Sequence, residues 1–354
     1  MLAHHLMFNP EKQWVDMPPL TRCFPNLIGG LSIDNAVGSF GQICVSLFMF
    51  LGGYGLAASI SKGEFSLLDK IIRLYKTYWR YFIVFVPIGF LFFSKQDDYL
   101  LRTDFCHVFS DFNLKQMISS FVGWTFDYNK EWWFLRAYVV YIILTYIYIR
   151  RMCDCGNAWK EFAVVLLINI LLTGVLPSIG NIEALTPIYK HKILSMLYLY
   201  DNAACGCCSI MGAFSYKHTV LENLKSELFS NRFSIMSSIT CMIIIFYMRI
   251  LVVGKVFDIF YVPFFITSVW VLSSYFLKVS SFIAVLGKYS SGMWLTHSFY
   301  LWYYEPFCKF IFGFGNLWIS LVVLIAISCL TAIIMDNFPR VIKRYYADYF
   351  VGEK

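Results

Sequence analysis

Long, almost unbroken runs of apolar side chains constrain this chain more than any other feature of its sequence. Residues 82–93 carry no polar side chain, and residues 163–176 carry only Asn169 and Thr173. Such runs are typical of helices in lipid, because a helix satisfies its own backbone hydrogen bonds where no water is present. Barrel strands would instead alternate apolar and polar residues. The pattern therefore predicts membrane-spanning helices.

The composition agrees with a membrane protein and excludes the common soluble classes. Of the 354 residues, 59% are hydrophobic and 14% are charged, whereas soluble domains carry about 25% charged residues. At about 20 residues per span, this length allows roughly ten crossings. The 29 Lys and Arg residues are spread along the chain, so we do not expect a nucleic-acid partner. We predict one all-α, polytopic membrane domain over residues 1–354.

The distribution of basic residues orients the predicted spans. Lys and Arg are dense between positions 62 and 80 and recur at Arg150 and Arg151. Because cytoplasmic loops are rich in Lys and Arg, we place these segments and both termini in the cytoplasm. Residues 116–126 are apolar but too short to cross, which predicts an interfacial or re-entrant piece. The predicted spans are approximately residues 1–8, 39–60, 77–94, 132–149, 161–176, 192–214, 233–253, 258–277, 288–304 and 317–335.

The cysteines indicate neither a disulfide scaffold nor a metal site. Most of the 11 cysteines lie within or beside apolar spans, where a thiol packs as a small apolar group. Cys153 and Cys155 follow the basic pair at the predicted cytoplasmic end of span four, where thiols stay reduced. A C-x-C pair with no second pair or nearby His is a weak zinc signal. We therefore expect no metal.

Polar groups within apolar spans are costly and are candidates for function. His4 and His5 lie in an apolar stretch, and an imidazole is suited to proton abstraction near neutral pH. Two interfacial histidines at a chain terminus are the alternative interpretation. His297 lies within the ninth predicted span, as a site residue or as a buried histidine bonded to a carbonyl or a Ser. Asp201 is another intramembrane charge, with Asn202 as a possible partner.

A basic segment precedes the third predicted span. Lys70 and Arg73 are three residues apart and would share one face of a helix. Two cationic side chains near the point where a helix enters the membrane can bind a phosphate or a pyrophosphate together. Ordinary cytoplasmic anchoring of a helix end would explain the same residues.

Two further segments have both a packing and a functional interpretation. Residues 41–59 contain several glycines that permit close helix approach or a local break. Trp132 and Trp133 fit an interfacial aromatic belt. Arg136 lies about one turn inside span four and needs a partner, for which Glu131 is a candidate.

Taken in order along the chain, these segments resemble the acyltransferase 3 family of integral membrane acyltransferases. MLAHHL is similar to the end of that family's first helix, where a His closes an Arg/Lys-x10-His motif. GQICVSLFMFLGGYGLAAS is similar to its G-V-x-x-F-F-x-x-S-G-Y stretch, and DKIIRLYKTYW to its R-x-x-R-x-x-P-x-Y/W segment. WWFLRAY resembles its W-F-L span entry, and LGKYSSGMWLTH resembles its L-G-x-x-S-x-x-x-x-L-x-H motif.

The resemblance implies a ten-helix enzyme that moves an acyl group, usually acetyl, from cytoplasmic acyl-CoA to a hydroxyl of a surface or lipid-linked glycan. It implies His5 as the general base, with His4 as the second choice. Arg73, Lys70 and Lys76 would hold the phosphates of the donor. The residues that would line the acceptor cleft are Trp132, Trp133, Tyr138, Arg136 and His297.

The chain departs from the family pattern in three ways. The basic residue expected eleven positions before His5 would lie before Met1, which predicts a first helix truncated at its N-terminus. Lys76 stands where Pro is common, and Gly52 stands where the family usually has Ser. The first departure bears on activity, and the others are mild.

Three other functions stay open from the sequence. A transporter or lipid-linked glycan flippase would use Arg136, Asp201 and His297 as a polar pathway. A different type of enzyme, a membrane-bound O-acyltransferase, would pair a His with an Asn, for which Asn169 and Asn202 are available, although the motif order fits that family poorly. A catalytically inactive membrane domain that binds a partner is the third. The acceptor, the acyl group and the oligomeric state are not predicted.

Overall fold

A computed structural model describes most of the helices of this chain. The described residues are 1–8, 32–63, 65–100, 103–152, 156–175, 178, 203–228, 233–251 and 256–346. Within them the chain forms helices and no β-strand, which confirms the predicted all-α class.

The helices are numbered here in chain order. They are α1 (Leu2–Met7), α2 (Ile33–Phe40), α3 (Ile43–Ser61), α4 (Leu67–Phe92), α5 (Thr103–Cys106), α6 (Leu114–Phe121), α7 (Trp133–Met152), α8 (Ala158–Ile170), α9 (Ala203–Lys217), α10 (Val220–Leu228), α11 (Ser234–Leu251), α12 (Asp258–Tyr275), α13 (Leu277–Ser298), α14 (Glu305–Phe312) and α15 (Leu317–Tyr346). A 3-10 turn, Lys130–Trp132, precedes α7, and α13 continues as a π-helical turn, Phe299–Tyr303.

Several helices have the length and apolar composition needed to cross a membrane. Six such segments occur in the described part of the chain, which is therefore a multi-pass membrane protein. The predicted total of ten spans stays a prediction, and Asp201 with the first half of the sixth span lies outside the described residues. The six segments are Ile33–Ser61, Lys130–Arg151, Ala158–Val175, Ser234–Leu251, Asp258–Tyr275 and Leu317–Phe338.

The structure adds one helix between two predicted spans and corrects one predicted boundary. The connection between the predicted spans over residues 192–214 and 233–253 contains helix α10, whose sequence VLENLKSEL alternates leucines with charges at helical spacing. Helix α13 begins at Leu277 rather than near residue 288. Lys278, Ser280 and Ser281 interrupt the apolar pattern in its first turn, so residues 278–287 were predicted to lie between two spans.

The chain divides into two compact units. The first consists of Met1–Gly41, Ile72–Trp132 and Ser281–Lys354, and the second of Gln42–Ile71 and Trp133–Ser280. His4, His5 and His297 all belong to the first unit.

Glycines bring α3 and α9 together in the second unit. A Cβ atom on Gly53 would collide with the backbone of Ser209, and one on Gly212 would collide with the backbone carbonyl of Phe50. Small residues of this kind let helix backbones approach closely in a membrane. The packing interpretation of the glycine-rich segment is thus confirmed at Gly53, while a Cβ on Gly55 would meet open space.

A buried ion pair ties three helices of the second unit. Arg249 of α11 donates from Nε to Oδ1 of Asp258 at 2.8 Å and from Nη2 to Oδ2 at 3.1 Å. Ser46 of α3 donates to the same carboxylate at 2.5 Å. Asp258 begins α12 and has no exposed surface. Because the charges are paired and hydrogen-bonded, α3, α11 and α12 can enclose them.

In the first unit, the short apolar piece predicted over residues 116–126 forms the eight-residue helix α6 and the turn after it. A helix of this length spans about 12 Å, too little to cross a bilayer. Tyr75, Tyr78 and Trp79 of α4 donate side-chain hydrogen bonds of 2.6–3.2 Å to the consecutive backbone carbonyls of residues 120–122. These donors satisfy carbonyls that the end of α6 leaves without helical partners.

Candidate active site

Helix α1 carries His4 and His5, and the two side chains have different neighbours. The α1 helix packs against α2 and α15. His4 donates from Nδ1 to the backbone carbonyl of Gly38 in α2 at 2.8 Å. A Cβ on Gly38 would lie 2.6 Å from the backbone of Phe8, so glycine is needed for this close approach. His4 therefore anchors α1 to α2.

His5 points into a cluster of side chains that come from distant parts of the sequence. Its Nε2 atom lies 3.1 Å from Oε2 of Glu131, at ion-pair distance. Its ring lies 5.1 Å from the ring of His297 and 5.0 Å from that of Trp302, which meets it edge-on. The side chains of His5 and Glu131 are only 15% and 17% exposed. In such a setting a carboxylate orients an imidazole and stabilises its protonated form.

Two tryptophans fix Glu131 against α13, the helix that carries His297. The indole of Trp294 donates to the backbone carbonyl of Glu131 at 3.3 Å. The indole of Trp132 donates in the opposite direction, to the backbone carbonyl of Leu295 at 3.0 Å. The two bonds hold residues 131–132 to one turn of α13 and so set the position of the Glu131 carboxylate.

Further hydrogen bonds extend this attachment on both sides. Asn129 donates from Nδ2 to Oγ of Ser298 at 2.7 Å, and Ser298 donates back to Oδ1 of Asn129 at 3.0 Å. The backbone N–H of Lys130 donates to the hydroxyl of Tyr303 at 2.8 Å. Because Asn129 and Ser298 have no exposed surface, these bonds form without competition from water.

His297 is held in one tautomer. Its Nδ1 atom lies 2.7 Å from the carbonyl of Trp294 and 3.2 Å from that of Met293. Carbonyls only accept hydrogen bonds, so Nδ1 carries the proton and Nε2 presents a lone pair. Nε2 is buried and has no hydrogen-bond partner among the described residues.

The loop between α4 and α6 covers Trp302. Phe105 of α5 stacks on the Trp302 ring, with centroids 6.0 Å apart and planes 15° apart. The Tyr99 hydroxyl donates to the backbone carbonyl of Trp302 at 2.7 Å. Burial raises the pKa of the Tyr99 phenol well above its usual value, so the donating proton stays in place. This loop therefore fixes the position of Trp302 beside His5.

The structure brings together some of the residues predicted from sequence. His5, His4 and His297 are neighbours, with ring centroids of His4 and His5 5.0 Å apart. Trp132 belongs to the same unit but has no exposed surface and packs edge-on against Tyr78. Its predicted place in an acceptor cleft rests on the resemblance alone.

The other predicted site residues lie elsewhere on the chain. Trp133, Arg136 and Tyr138 begin α7 in the second unit, where Tyr138 lies over Gly52. Lys70, Arg73 and Lys76 follow one another along the first turns of α4, and Arg73 and Lys76 are exposed. Their roles in binding donor and acceptor stay predictions.

Sequence reasoning missed Glu131 as the neighbour of His5, and it missed Trp302. Local spacing had offered Arg136 as the partner of Glu131. Trp302 lies within the aromatic run FYLWYY, where no pattern distinguishes it from its neighbours.

The fold and the site define a helical, multi-pass membrane protein with a histidine–carboxylate pair enclosed by its helices. A family model described as an acyltransferase domain matches residues 8–336, nearly the whole chain. The chain belongs to the acyltransferase 3 family of membrane acyltransferases. The matched region begins just after His4 and His5. Comparisons with curated proteins and with solved structures give no match.

Proposed function

We propose that this chain is a membrane O-acyltransferase that moves an acyl group, in the first place acetyl, from cytoplasmic acyl-CoA to a hydroxyl of a cell-surface or lipid-linked glycan. The observation that carries the proposal is the contact of 3.1 Å between His5 and Glu131 in a chain of this family. A cell (inner) membrane location with both termini in the cytoplasm belongs to the same proposal.

The proposed reaction gives His5 the role of general base. Because Nε2 of His5 faces the Glu131 carboxylate, Nδ1 is the atom left to take a proton. The acceptor hydroxyl loses its proton to Nδ1 as its oxygen attacks the thioester carbonyl carbon. The carbon–sulfur bond breaks, and the CoA thiolate leaves. Glu131 stabilises the imidazolium that forms in this step.

The donor and the acceptor would use the remaining predicted residues. Arg73 with Lys70 and Lys76 would bind the phosphates of acyl-CoA, since guanidinium and ammonium groups pair well with phosphate oxygens. For the acceptor, Trp302 supplies an aromatic edge beside His5. Trp133, Tyr138 and Arg136 stay proposed acceptor residues. No cofactor is needed for the step besides the acyl-CoA substrate.

The test is acetyl transfer in membranes of the host that contain the chain. Membranes are incubated with [14C]acetyl-CoA, and base-labile label in glycan and released acetate are both counted. His5→Ala should abolish both products because water and sugar hydroxyls need the same base. His107→Ala is the matched control, since His107 is a partly exposed histidine paired with Asp98 outside the cluster.

The outcomes separate the competing functions. Label in glycan that depends on His5 but not on His107 supports the proposal. Labelling that survives His5→Ala contradicts the base assignment and leaves His4 next. Wild-type membranes that cleave no thioester contradict the enzyme itself and favour a transporter or flippase.

A further inference from the structure

The Nε2 atom of His297 is a buried hydrogen-bond acceptor that is left unused. The tautomer is fixed by the carbonyls of Met293 and Trp294, so this nitrogen carries a lone pair. The His297 side chain has no exposed surface, and the described residues offer Nε2 no donor. Buried polar atoms are nearly always paired in folded proteins, so an orphan of this kind needs an explanation.

The position of His297 beside His5 suggests which molecule donates a hydrogen bond to its Nε2 atom. The two rings lie 5.1 Å apart, and His5 is 15% exposed while His297 is not exposed at all. A molecule that reaches His5 from the accessible side therefore comes next to His297. The group it would offer to Nε2 must be a hydrogen-bond donor.

The count of protons decides which donor this is. A reacting hydroxyl has one proton, and in the proposed reaction that proton goes to His5. The donor to His297 is then a different group on the same acceptor. Two imidazoles with ring centroids 5.1 Å apart suit two hydroxyls on neighbouring carbon atoms, as a sugar ring carries.

We infer that Nε2 of His297 accepts a hydrogen bond from a second hydroxyl of the acyl acceptor, adjacent to the hydroxyl that His5 deprotonates. This inference rests on the proposed acyl transfer and narrows its acceptor to a sugar or another polyol with neighbouring hydroxyls. His297 is thereby a residue that selects and orients the acceptor, and His5 remains the base.

Two substitutions at position 297 separate the two ring nitrogens. Asparagine keeps a donor near the place of Nδ1, toward the carbonyls of α13, and removes the acceptor. Glutamine places its amide near Nε2 and keeps an acceptor there. The thermal stability of each variant in detergent is first shown to equal that of wild type. Both variants are then assayed in membranes with [14C]acetyl-CoA for label in glycan and for released acetate.

We expect His297→Asn to lower transfer to glycan roughly 5- to 150-fold, the usual effect of losing one hydrogen bond to a buried group. Release of acetate should change by less than about twofold, because water has no second hydroxyl to hold. His297→Gln should retain more transfer than His297→Asn.

Several results would overturn the inference. If His297→Asn lowers transfer and acetate release in parallel, His297 acts through His5 and does not contact the acceptor. If both variants transfer acetyl like wild type, Nε2 has no role in the reaction. If wild type gives neither product, the proposed function fails first, and this inference fails with it.

A test on the wild-type protein covers the case in which neither variant folds. Propane-1,2-diol should suppress labelling of glycan more strongly than 1-propanol at the same concentration, because only the diol offers neighbouring hydroxyls. Equal suppression by the two alcohols would contradict the inference.

Discussion

Replacing Glu131 with glutamine tests the proposed pair directly, because Glu131→Gln removes one charge and almost no volume. The carboxylate lies 3.1 Å from Nε2 of His5. At an effective dielectric constant of about 20, two unit charges at this distance attract each other by about 5 kcal/mol, which is an upper limit. Partial exposure of both side chains and the remaining amide dipole reduce the loss to about 2–4 kcal/mol.

This energy should appear in the rate and not in binding of the donor. His5 is charged only after it has taken the proton, so Glu131 stabilises the transition state more than the ground state. A loss of 2–4 kcal/mol corresponds to roughly a 30- to 1,000-fold fall in kcat, with KM for acetyl-CoA nearly unchanged. Initial rates of transfer from [14C]acetyl-CoA at several donor concentrations measure both quantities.

The chain offers a matched control in a second histidine–carboxylate pair. Asp98 lies 2.6 Å from Nε2 of His107, but both side chains are largely exposed. Asp98→Asn should therefore change kcat by less than about twofold. If Glu131→Gln retains at least about a third of the wild-type kcat while its thermal stability is unchanged, the assignment of Glu131 to catalysis is refuted.

Three further predictions concern stability, measured as the thermal transition of the purified protein in detergent. Gly53→Ala should lower the free energy of unfolding by about 1–3 kcal/mol, because the added methyl group collides with the backbone of α9. Gly55→Ala is the control and should leave the stability unchanged, because a Cβ atom there meets open space. Equal thermal transitions for the two variants would contradict the close contact at Gly53. Asp258→Asn should cost about 3–5 kcal/mol because Arg249 keeps a buried charge without its counter-ion, and an unchanged transition would contradict this. Trp132→Phe should lower the free energy of unfolding by about 1–3 kcal/mol, because it removes the hydrogen bond from the indole to the carbonyl of Leu295. A thermal transition equal to that of wild type would show that this hydrogen bond does not stabilise the protein.

The spans were predictable because their signal is local. Helices α11 and α12 begin and end within two residues of the predicted spans over residues 233–253 and 258–277. An apolar run determines where such a helix lies, whatever its neighbours are. Helix α10 was missed for the same reason, because a short amphipathic helix has no long apolar run.

The candidate site was only half predictable. His5 and His297 stood out because imidazoles are rare in apolar segments. The contact of His5 with Glu131 depends on how α1 packs and on the hydrogen bonds that hold residues 131–132 to α13. No spacing within one segment encodes such a contact, which is why Arg136, five residues away, was the candidate partner.

The tautomer of His297 was equally hidden from the sequence. The sequence of an apolar span does not show whether both ring nitrogens of a histidine in it have hydrogen-bond partners. Only the distances from Nδ1 to the carbonyls of Met293 and Trp294 show which nitrogen is free.

The attachment of α6 to α4 also implies an order of events as the chain folds. Helix α6 has only eight residues, and its last carbonyls need donors from outside the helix. Tyr75, Tyr78 and Trp79 provide those donors from α4, which precedes α6 in the chain. The end of α6 therefore depends on an earlier helix for its hydrogen bonds, so α4 has to form before this contact can be completed.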